Sequence, residues 1–213
     1  MTEIVPGFRN VRGFVWPEAD KECAAVVFGE TAKLDLVMPL CRSKRSVVQA
    51  GGNCGVFPAY LAGHFGAVYT FEPVARNFVA LTANTASLPN VVRFQAALGD
   101  RRCRVSMSDD PLNCGAAFVE PSATGIIPTM CIDDLRLDDC DLVYLDVEGY
   151  EMPALLGAAV TLRCSRPVVV IEDKGLSEKY GKKKGDVVQW LCEAHGYRVH
   201  ARPQRDVVMV PGD

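Results

Sequence analysis

Residues 47–72 read VVQAGGNCGVFPAYLAGHFGAVYTFE, and this stretch decides the fold. A short β-branched run ends at glycines, a helix-like segment follows, and a second β-branched run, AVYTF, ends in an acid. This order predicts a strand, a turn, a helix and a second strand. Because ligands of open α/β sheets bind beyond the carboxyl ends of the strands, the glycines and the acid mark a predicted ligand site.

The same rhythm continues through the rest of the chain. Further strands are predicted at VVRFQA, LVYLDV, PVVVIE, YRVHA and DVVMV, and helices at ARNFVALTANTASL, EMPALLGAAVTL and DVVQWLCEAHG. Short apolar strands that alternate with helices predict an α/β fold, in which a mostly parallel sheet carries helices on both faces. Only RPQR separates the last two strands, which is too short for a parallel crossover, so they should form an antiparallel hairpin.

Two regions depart from this rhythm. Residues 1–20 mix Pro, Gly, Arg and aromatics and predict an irregular arm, and residues 21–40 predict a helix. We therefore expect a single domain, with residues 1–46 as an arm and helix packed on a core of residues 47–213. Residues 101–130 are rich in Ser, Asp, Pro and Gly, which favours irregular strands or loops over one edge of the sheet.

The composition is that of an ordinary globular protein. The 213 residues carry a formal net charge of -3, so no general electrostatic attraction to nucleic acid or an anionic membrane is expected. No apolar run approaches the roughly 18 residues that span a bilayer, and no signal peptide is expected. The nine cysteines are scattered and include no CxxC, which disfavours a disulfide framework or a zinc site and favours the reducing cytoplasm.

The glycine turn and the acid that follows it restrict the ligand. A dinucleotide-binding turn has glycines at relative positions 0, 2 and 5, whereas this chain has Gly51, then Asn53, then Gly55, which disfavours a pyrophosphate. Glu72 ends the second strand, where a carboxylate accepts hydrogen bonds from a ribose diol. S-adenosylmethionine, a nucleoside without phosphate, fits this pattern best. The alternative is that Glu72 is a surface acid before the turn residue Pro73.

Six segments carry a resemblance to a known family: VVQAGGNCGVF, TFEPVARNF, QAALGD, PTMCIDDL, VYLDVEGYE and VVVIEDKG. In this order they resemble the successive motifs of the FkbM family of S-adenosylmethionine-dependent methyltransferases, over about residues 47–210. The resemblance implies a Rossmann-like class I methyltransferase fold, with seven strands ordered 3-2-1-4-5-7-6 and the seventh antiparallel. It also implies O-methylation of hydroxyl groups on sugars, polyketides and related metabolites.

The resemblance assigns roles to residues of this chain. The glycine turn should wrap the methionine end of S-adenosylmethionine, the third strand should flank the adenine, and Asp146 should face the sulfonium. The residues expected to bind the cofactor are Gln49, Gly51, Asn53, Gly55, Glu72, Ala97, Leu98 and Asp146. Gln49 stands where the family usually has an acid, and Tyr144 stands where it often has a lysine. Glutamine can still hydrogen-bond an ammonium group but lacks the charge.

Methyl transfer to a hydroxyl requires a base that accepts its proton. The candidates are Asp146, Glu148 and Glu172, since all three lie at carboxyl ends of predicted strands, and Asp146 or Glu148 is the hypothesised base. Glu148 could instead cap the helix that EGYE opens, and Glu172 could be structural. No metal site is expected, and an ion bound by Asp146 with Glu172 or Asp173 is the less favoured alternative.

The expected acceptor is a small molecule or a glycan, with no membrane partner and nucleic acid disfavoured. Two alternatives stay open: a methyltransferase that acts on nucleic acid or protein, and a catalytically silent domain that binds S-adenosylmethionine. The departures at Gln49 and Tyr144 keep the silent domain in consideration. The basic run at residues 182–184 is expected to be a solvated loop.

Overall fold

The computed structural model describes residues 6–120 and 124–212. In chain order its strands are β1 (Phe8–Val11), β2 (Phe14–Pro17), β3 (Ser46–Ala50), β4 (Ala67–Phe71), β5 (Val91–Phe94), β6 (Ala97–Leu98), β7 (Arg104–Asp110), β8 (Asn113–Glu120), β9 (Ile127–Met130), β10 (Leu142–Leu145), β11 (Val168–Glu172), β12 (Tyr197–Ala201) and β13 (Asp206–Pro211).

The helices lie mainly between these strands. They are α1 (Cys23–Glu30), α2 (Val56–Ala62), α3 (Ala75–Asn84), α4 (Glu151–Leu156), α5 (Ala159–Cys164) and α6 (Asp186–His195), with short 3-10 helices at Thr31–Leu36, Met38–Leu40, Ile132–Leu135 and Leu176–Tyr180. None of the helices in the described ranges is both long and apolar enough to cross a membrane.

The main sheet has seven strands in the order β5-β4-β3-β10-β11-β13-β12. All neighbouring pairs are parallel except those of β13, which is antiparallel to both β11 and β12. Counting only these seven strands along the chain, the order is 3-2-1-4-5-7-6. The α/β fold, the strand order and the antiparallel hairpin predicted from the sequence are therefore confirmed.

The central strands form because their residues are apolar on both faces. All five residues of β3 and all four of β10 are buried. Neighbouring residues alternate between two core clusters, so that Val47 packs on one face of the sheet and Val48 on the other. This continuous burial is typical of a parallel sheet with helices on both sides.

The expectation of an irregular region at 101–130 is only partly right. Strands β6, β9, β7 and β8 form a second sheet in that order, in which β7 and β8 are an antiparallel hairpin. Most residues of β7 and β8 are half-buried or exposed, β7 is largely polar, and their hairpin is irregular between Ser108 and Asp110, which hides the alternation expected of strands. The second sheet brings β8 to the carboxyl edge of the main sheet, over the predicted ligand site.

The N-terminal region differs from the expectation of an irregular arm. Strands β1 and β2 form a hairpin whose two turn residues, Arg12 and Gly13, both have positive φ (51° and 90°), as a tight type I′ turn requires. The hairpin is tied to α3 because the Asn84 amide bonds both the backbone N–H and the carbonyl of Val15. Residues 1–5 of the predicted arm lie outside the described ranges.

Two predicted helices are broken. The helix expected over 21–40 becomes α1 and two 3-10 helices, since Gly29 and the β-branched Thr31 are weak helix formers and Pro39 lacks an N–H. The helix expected at EMPALLGAAVTL divides into α4 and α5 at Gly157. A Cβ at Gly157 would lie 2.1 Å from the Gly99 carbonyl oxygen, so the glycine permits a close backbone approach there.

Candidate active site

A cavity of about 370 Å³ opens at the carboxyl ends of β3, β4, β10 and β11, and α1 and β8 cover it. This volume is within the usual range for a small-molecule site. The sequence-predicted site residues that line it are Gly51, Asn53, Glu72, Ala97, Leu98, Asp146, Glu148 and Glu172. Residues from five strand ends and turns thus converge on one space, while Gln49 and Gly55 lie outside its lining.

The glycine turn lets the β3 and β10 backbones meet. Gly51 has a φ of 82°, and a Cβ placed there would lie 2.0 Å from the carbonyl oxygen of Asp146. Gly55 has a φ of 90° and precedes α2, where it packs against Leu81 rather than facing the cavity. The two glycines are therefore needed for backbone geometry, and Gly51 also lines the cavity.

Glu72 is held at the rim of the cavity by the backbone. One carboxylate oxygen accepts a hydrogen bond from the N–H of Asn53 (2.7 Å), and the other accepts one from the N–H of Val74 (2.8 Å). The side chain is buried, and burial raises its pKa to about 7 despite these bonds. Asn77 also hydrogen-bonds this carboxylate, and because its two oxygens offer about four lone-pair sites, it keeps capacity to accept a hydroxyl donor from the cavity.

Gln49 acts beneath the turn rather than in the cavity wall. Its Nε2 donates to the Gly51 carbonyl (2.9 Å), and its Oε1 accepts a bond from Thr70 Oγ1 (2.5 Å). Because the amide is buried and bonded at both ends, the contact with the cofactor expected from the resemblance has no support in this geometry. Its position instead braces the turn at Gly51.

Three carboxylates gather at the other end of the cavity. Oxygen atoms of Asp146, Glu148 and Glu172 lie within 4.8 Å of one another. Burial, followed by the charges of Glu172 and Glu148, raises the pKa of Asp146 well above its usual range. Burial also raises the pKa of Glu172. Mutual repulsion and desolvation therefore favour at least one bound proton in this group.

Lys174 joins this carboxylate group, and sequence reasoning missed it. Its ammonium lies 2.9 Å from a Glu148 oxygen and 2.7 Å from a Glu172 oxygen. Burial alone would lower the pKa of Lys174, but the bonds to the two glutamates outweigh it, so the pKa is raised. The sequence offers one signal, a lysine two residues beyond the last strand acid, but not its contact with Glu148.

Glu151, the first residue of α4, holds the turn that precedes the helix, and α4 has no side-chain cap from Glu148. The Glu151 carboxylate accepts hydrogen bonds from the N–H groups of Gly149 (3.2 Å) and Val147 (3.4 Å) at the start of α4. Burial raises its pKa to about 7. Glu148 has a positive φ of 55° and lines the cavity beside Lys174, so the two acids of EGYE have different surroundings.

Tyr144 lies behind the site. Its hydroxyl donates to the buried carboxylate of Asp206 (3.2 Å), which also pairs with Lys33 (2.9 Å). Desolvation raises the pKa of Tyr144 well above its usual range. Tyr144 therefore occupies a polar cluster under the sheet edge rather than the cavity lining.

Asn77 is a further cavity residue that the sequence did not indicate. Its Nδ2 donates to the Cys114 carbonyl (2.8 Å), while its Oδ1 is buried without a partner. The residue lies on α3 and lines the cavity near Glu72. A buried amide oxygen that faces a cavity is available to a ligand donor.

The carboxylate group also has the composition of a cation site. Asp146, Glu148 and Glu172 could each supply one oxygen ligand, as hard divalent cations prefer. Asp173, the other ligand considered from the sequence, instead accepts a bond from the Gly185 N–H (3.3 Å). Lys174 already supplies a positive charge to two of the three acids.

Comparison with protein families gives one match over most of the chain. The model of the methyltransferase FkbM domain matches residues 50–199, a range that includes the glycine turn, Glu72 and the three carboxylates. No curated protein matches the chain significantly.

Several solved structures share the fold. The methyltransferase FkbM from Methylobacillus flagellatus KT is 19% identical with a TM-score of 0.54, over 78% of this chain and 43% of that one. This chain thus spans less than half the length of that protein. The precorrin-6y C5,15-methyltransferase from Geobacter metallireducens GS-15 is 12% identical with a TM-score of 0.52, over 97% and 98% of the two chains. An rRNA methylase from Streptococcus thermophilus is 12% identical with a TM-score of 0.51, over 85% and 95%.

Proposed function

The chain belongs to the FkbM family of S-adenosylmethionine-dependent methyltransferases, and we propose that it methylates a hydroxyl oxygen of a small molecule or glycan. Its fold is the class I methyltransferase fold.

The charge of the cavity lining is the observation that carries the proposal. The lining holds six acidic side chains and two cationic ones, and the acids remain in excess even with Asp146 protonated: Glu22, Glu30, Glu72, Asp146, Glu148 and Glu172 against Lys174 and Arg205. A surplus of carboxylates attracts a cationic ligand such as a sulfonium and repels phosphates. The glycine turn without a phosphate cradle supports the same ligand.

The proposed role of each cavity residue follows from its position in the lining. Glu72 would accept hydrogen bonds from the ribose hydroxyls, Ala97 and Leu98 would flank the adenine, and Asp146 would face the positive end of the donor. Bound S-adenosylmethionine supplies a methyl group on a good leaving group. The chain must then hold an acceptor oxygen in line with that methyl group and exclude water.

Glu148 is the base that we place first. It lines the cavity and is paired with Lys174, whereas the raised pKa of Asp146 favours its protonated form, which cannot accept a proton. Glu172 shares Lys174 with Glu148 and is the second candidate. Loss of turnover in Glu148→Gln, with S-adenosylhomocysteine affinity kept, would support this assignment. Turnover within a few-fold of wild type would reject it.

Calorimetric titration tests the proposed donor. S-adenosylmethionine and S-adenosylhomocysteine are titrated into the wild type and Glu72→Ala, with NAD as the control ligand. We expect micromolar binding of the first two ligands by the wild type, a loss of about 100-fold or more in the variant, and no binding of NAD. Absence of binding by the wild type would refute the proposed donor.

An acceptor panel separates the remaining alternatives. We expect transfer to hydroxyl compounds and little to RNA, because the acidic lining repels a phosphate backbone. Methylation of RNA or protein in preference to the small molecules would overturn the acceptor class. Donor binding without transfer to any member of a broad panel would favour a silent domain.

A further inference from the structure

Three cysteines from separate parts of the chain meet in one wall of the cavity. Cys23 begins α1, Cys54 lies in the glycine turn and Cys114 lies on β8, and all three line the cavity. Each is buried and free. The scattered spacing of the cysteines disfavoured a disulfide framework, and nothing in the sequence indicated that these three would converge.

The side chain of Asn53 places two of these sulfurs side by side. Its Nδ2 donates to the sulfur of Cys23 (3.2 Å), and its Oδ1 accepts a bond from the thiol of Cys114 (3.5 Å). A Cβ added at Gly115, the residue after Cys114, would lie 3.0 Å from the Cys23 sulfur. Two thiols that contact opposite atoms of one amide group lie close enough to react with each other after a small movement.

We propose that Cys23 and Cys114 form an oxidisable dithiol site in the wall of the cavity, which a small peroxide converts to a disulfide. One sulfur attacks the peroxide, forming a sulfur–oxygen bond as the oxygen–oxygen bond breaks and water leaves. The second sulfur then attacks the resulting sulfenic acid, forming the sulfur–sulfur bond and releasing a second water. Two thiols and one hydrogen peroxide thus give one disulfide and two waters.

The surroundings of the two thiols determine how fast this reaction runs. The neighbouring Cys114 thiol, followed by burial, raises the pKa of Cys23 far above its usual range. Contact with Cys23 lowers the pKa of Cys114, but contact with Cys54 and burial outweigh that effect and raise it. Since the thiolate is the nucleophile, oxidation is slow near neutral pH and accelerates as the pH rises. A ligand that fills the cavity covers both sulfurs and slows oxidation further.

The disulfide would change the site as well as the thiols. It links α1 to β8 across the cavity wall, and it removes the thiol hydrogen that Cys114 donates to Asn53 Oδ1, so that the two sulfurs move relative to the Asn53 side chain. The backbone N–H of Asn53 donates to Glu72, so displacement of Asn53 loosens the proposed ribose-binding carboxylate. This effect on S-adenosylhomocysteine rests on the proposed function, whereas the disulfide itself does not.

Peptide mapping of the oxidised chain tests the proposal. The reduced full chain is treated with hydrogen peroxide at about pH 7 and about pH 9, with and without S-adenosylhomocysteine. The remaining thiols are then alkylated, the chain is digested, and the peptides are identified by mass spectrometry. We expect the cross-link between Cys23 and Cys114 to be the dominant intramolecular product, to form faster at the higher pH, and to lower the S-adenosylhomocysteine affinity by about tenfold or more until a dithiol reductant is added.

Cysteine-to-serine variants show whether the cross-link involves the two proposed residues. Cys23→Ser and Cys114→Ser should each abolish the cross-link, whereas Cys140→Ser, which removes a buried cysteine outside the cavity lining, should leave it unchanged. Circular dichroism checks that each variant is folded. If a variant does not fold, the wild-type peptide map still identifies which cysteines are linked. No cross-link, or one dominated by another cysteine pair, would overturn the site. An unchanged affinity after cross-linking would overturn its effect on the ligand, and a cross-link in a chain that never binds S-adenosylhomocysteine would refute the proposed function alone.

Discussion

The two ends of the cavity are built in different ways. The end at Glu72 is made of the glycine turn, whose backbone approaches that of Asp146 closely, together with Glu72, whose two oxygens accept backbone N–H bonds. The end at Lys174 is made of carboxylates that repel one another, two of which pair with the Lys174 ammonium. Mutations at the first end should therefore act through sterics, and mutations at the second through charge.

Replacing Gly51 by alanine should have the largest effect. The new Cβ would lie 2.0 Å from the Asp146 carbonyl at a φ of 82°, so β3 and β10 would have to separate or the turn would have to change. We expect the free energy of unfolding to fall by about 4 kcal/mol or more, measured by urea denaturation.

Gly175→Ala is the matched control for this prediction. Gly175 has a φ of 90°, but a Cβ there would have nothing within 4 Å. Its loss should be about 1 kcal/mol, from the backbone conformation alone. Similar losses in both variants would show that the close approach to Asp146 does not govern the stability of the turn.

The glycine turn and Glu72 could be predicted from sequence because the information is local. Residues 47–72 contain the strand, the turn, the helix and the acid, and the pairing of β3 with β4 follows from that order. Gln49 shows the limit of this reading, since the sequence did not indicate its bonds to Thr70 and to the Gly51 carbonyl.

The carboxylate end could be predicted only in part. The positions of Asp146 and Glu172 follow from strand ends, but Lys174 contacts Glu148 across 26 residues of sequence, and the positive φ of Glu148 directs that contact. The cysteine site depends on β8, a half-buried strand whose place over the cavity has no periodic signal. Contacts between distant segments are set by packing, which a single sequence does not display.

The stability of the fold should depend on pH through one buried glutamate at each end of the cavity. Burial raises the pKa of Glu72, at the turn, and of Glu151, near the carboxylates, to about 7 from the ordinary value of 4.5. The folded state thus binds more protons than the unfolded state between these pH values, so stability is highest below pH 4.5 for these groups and falls as pH rises to about 7. The fall should be about 3 kcal/mol per group at most.

Thermal and urea denaturation across about pH 4.5 to 8 measure this slope. Glu72→Gln and Glu151→Gln should each remove a similar part of it, because a neutral amide does not titrate. The quantity to compare is the change in the free energy of unfolding with pH. Its absolute value is less informative, because each Gln side chain also alters hydrogen bonds at every pH. A slope that Glu72→Gln leaves intact would mean that burial does not hold a proton on this carboxyl group.

Replacing Lys174 by methionine should have the smallest of these effects and should be confined to the carboxylate end. Methionine keeps much of the apolar stem but leaves Glu148 and Glu172 without their shared cation, so the pKa of Glu172, which burial already raises, should rise further. We expect a loss of about 1–2 kcal/mol in the free energy of unfolding near pH 8.

This loss of stability in Lys174→Met should be smaller near pH 5, because protonation then removes the unpaired charges. Lys174→Arg keeps the charge and should lose less at pH 8, and side-chain carboxyl carbon NMR should report the further rise of the Glu172 pKa in the methionine variant but not in the arginine variant. An equal loss at both pH values in Lys174→Met would show that the lysine contributes through packing, and the two ends of the cavity would then be less different than their charges indicate.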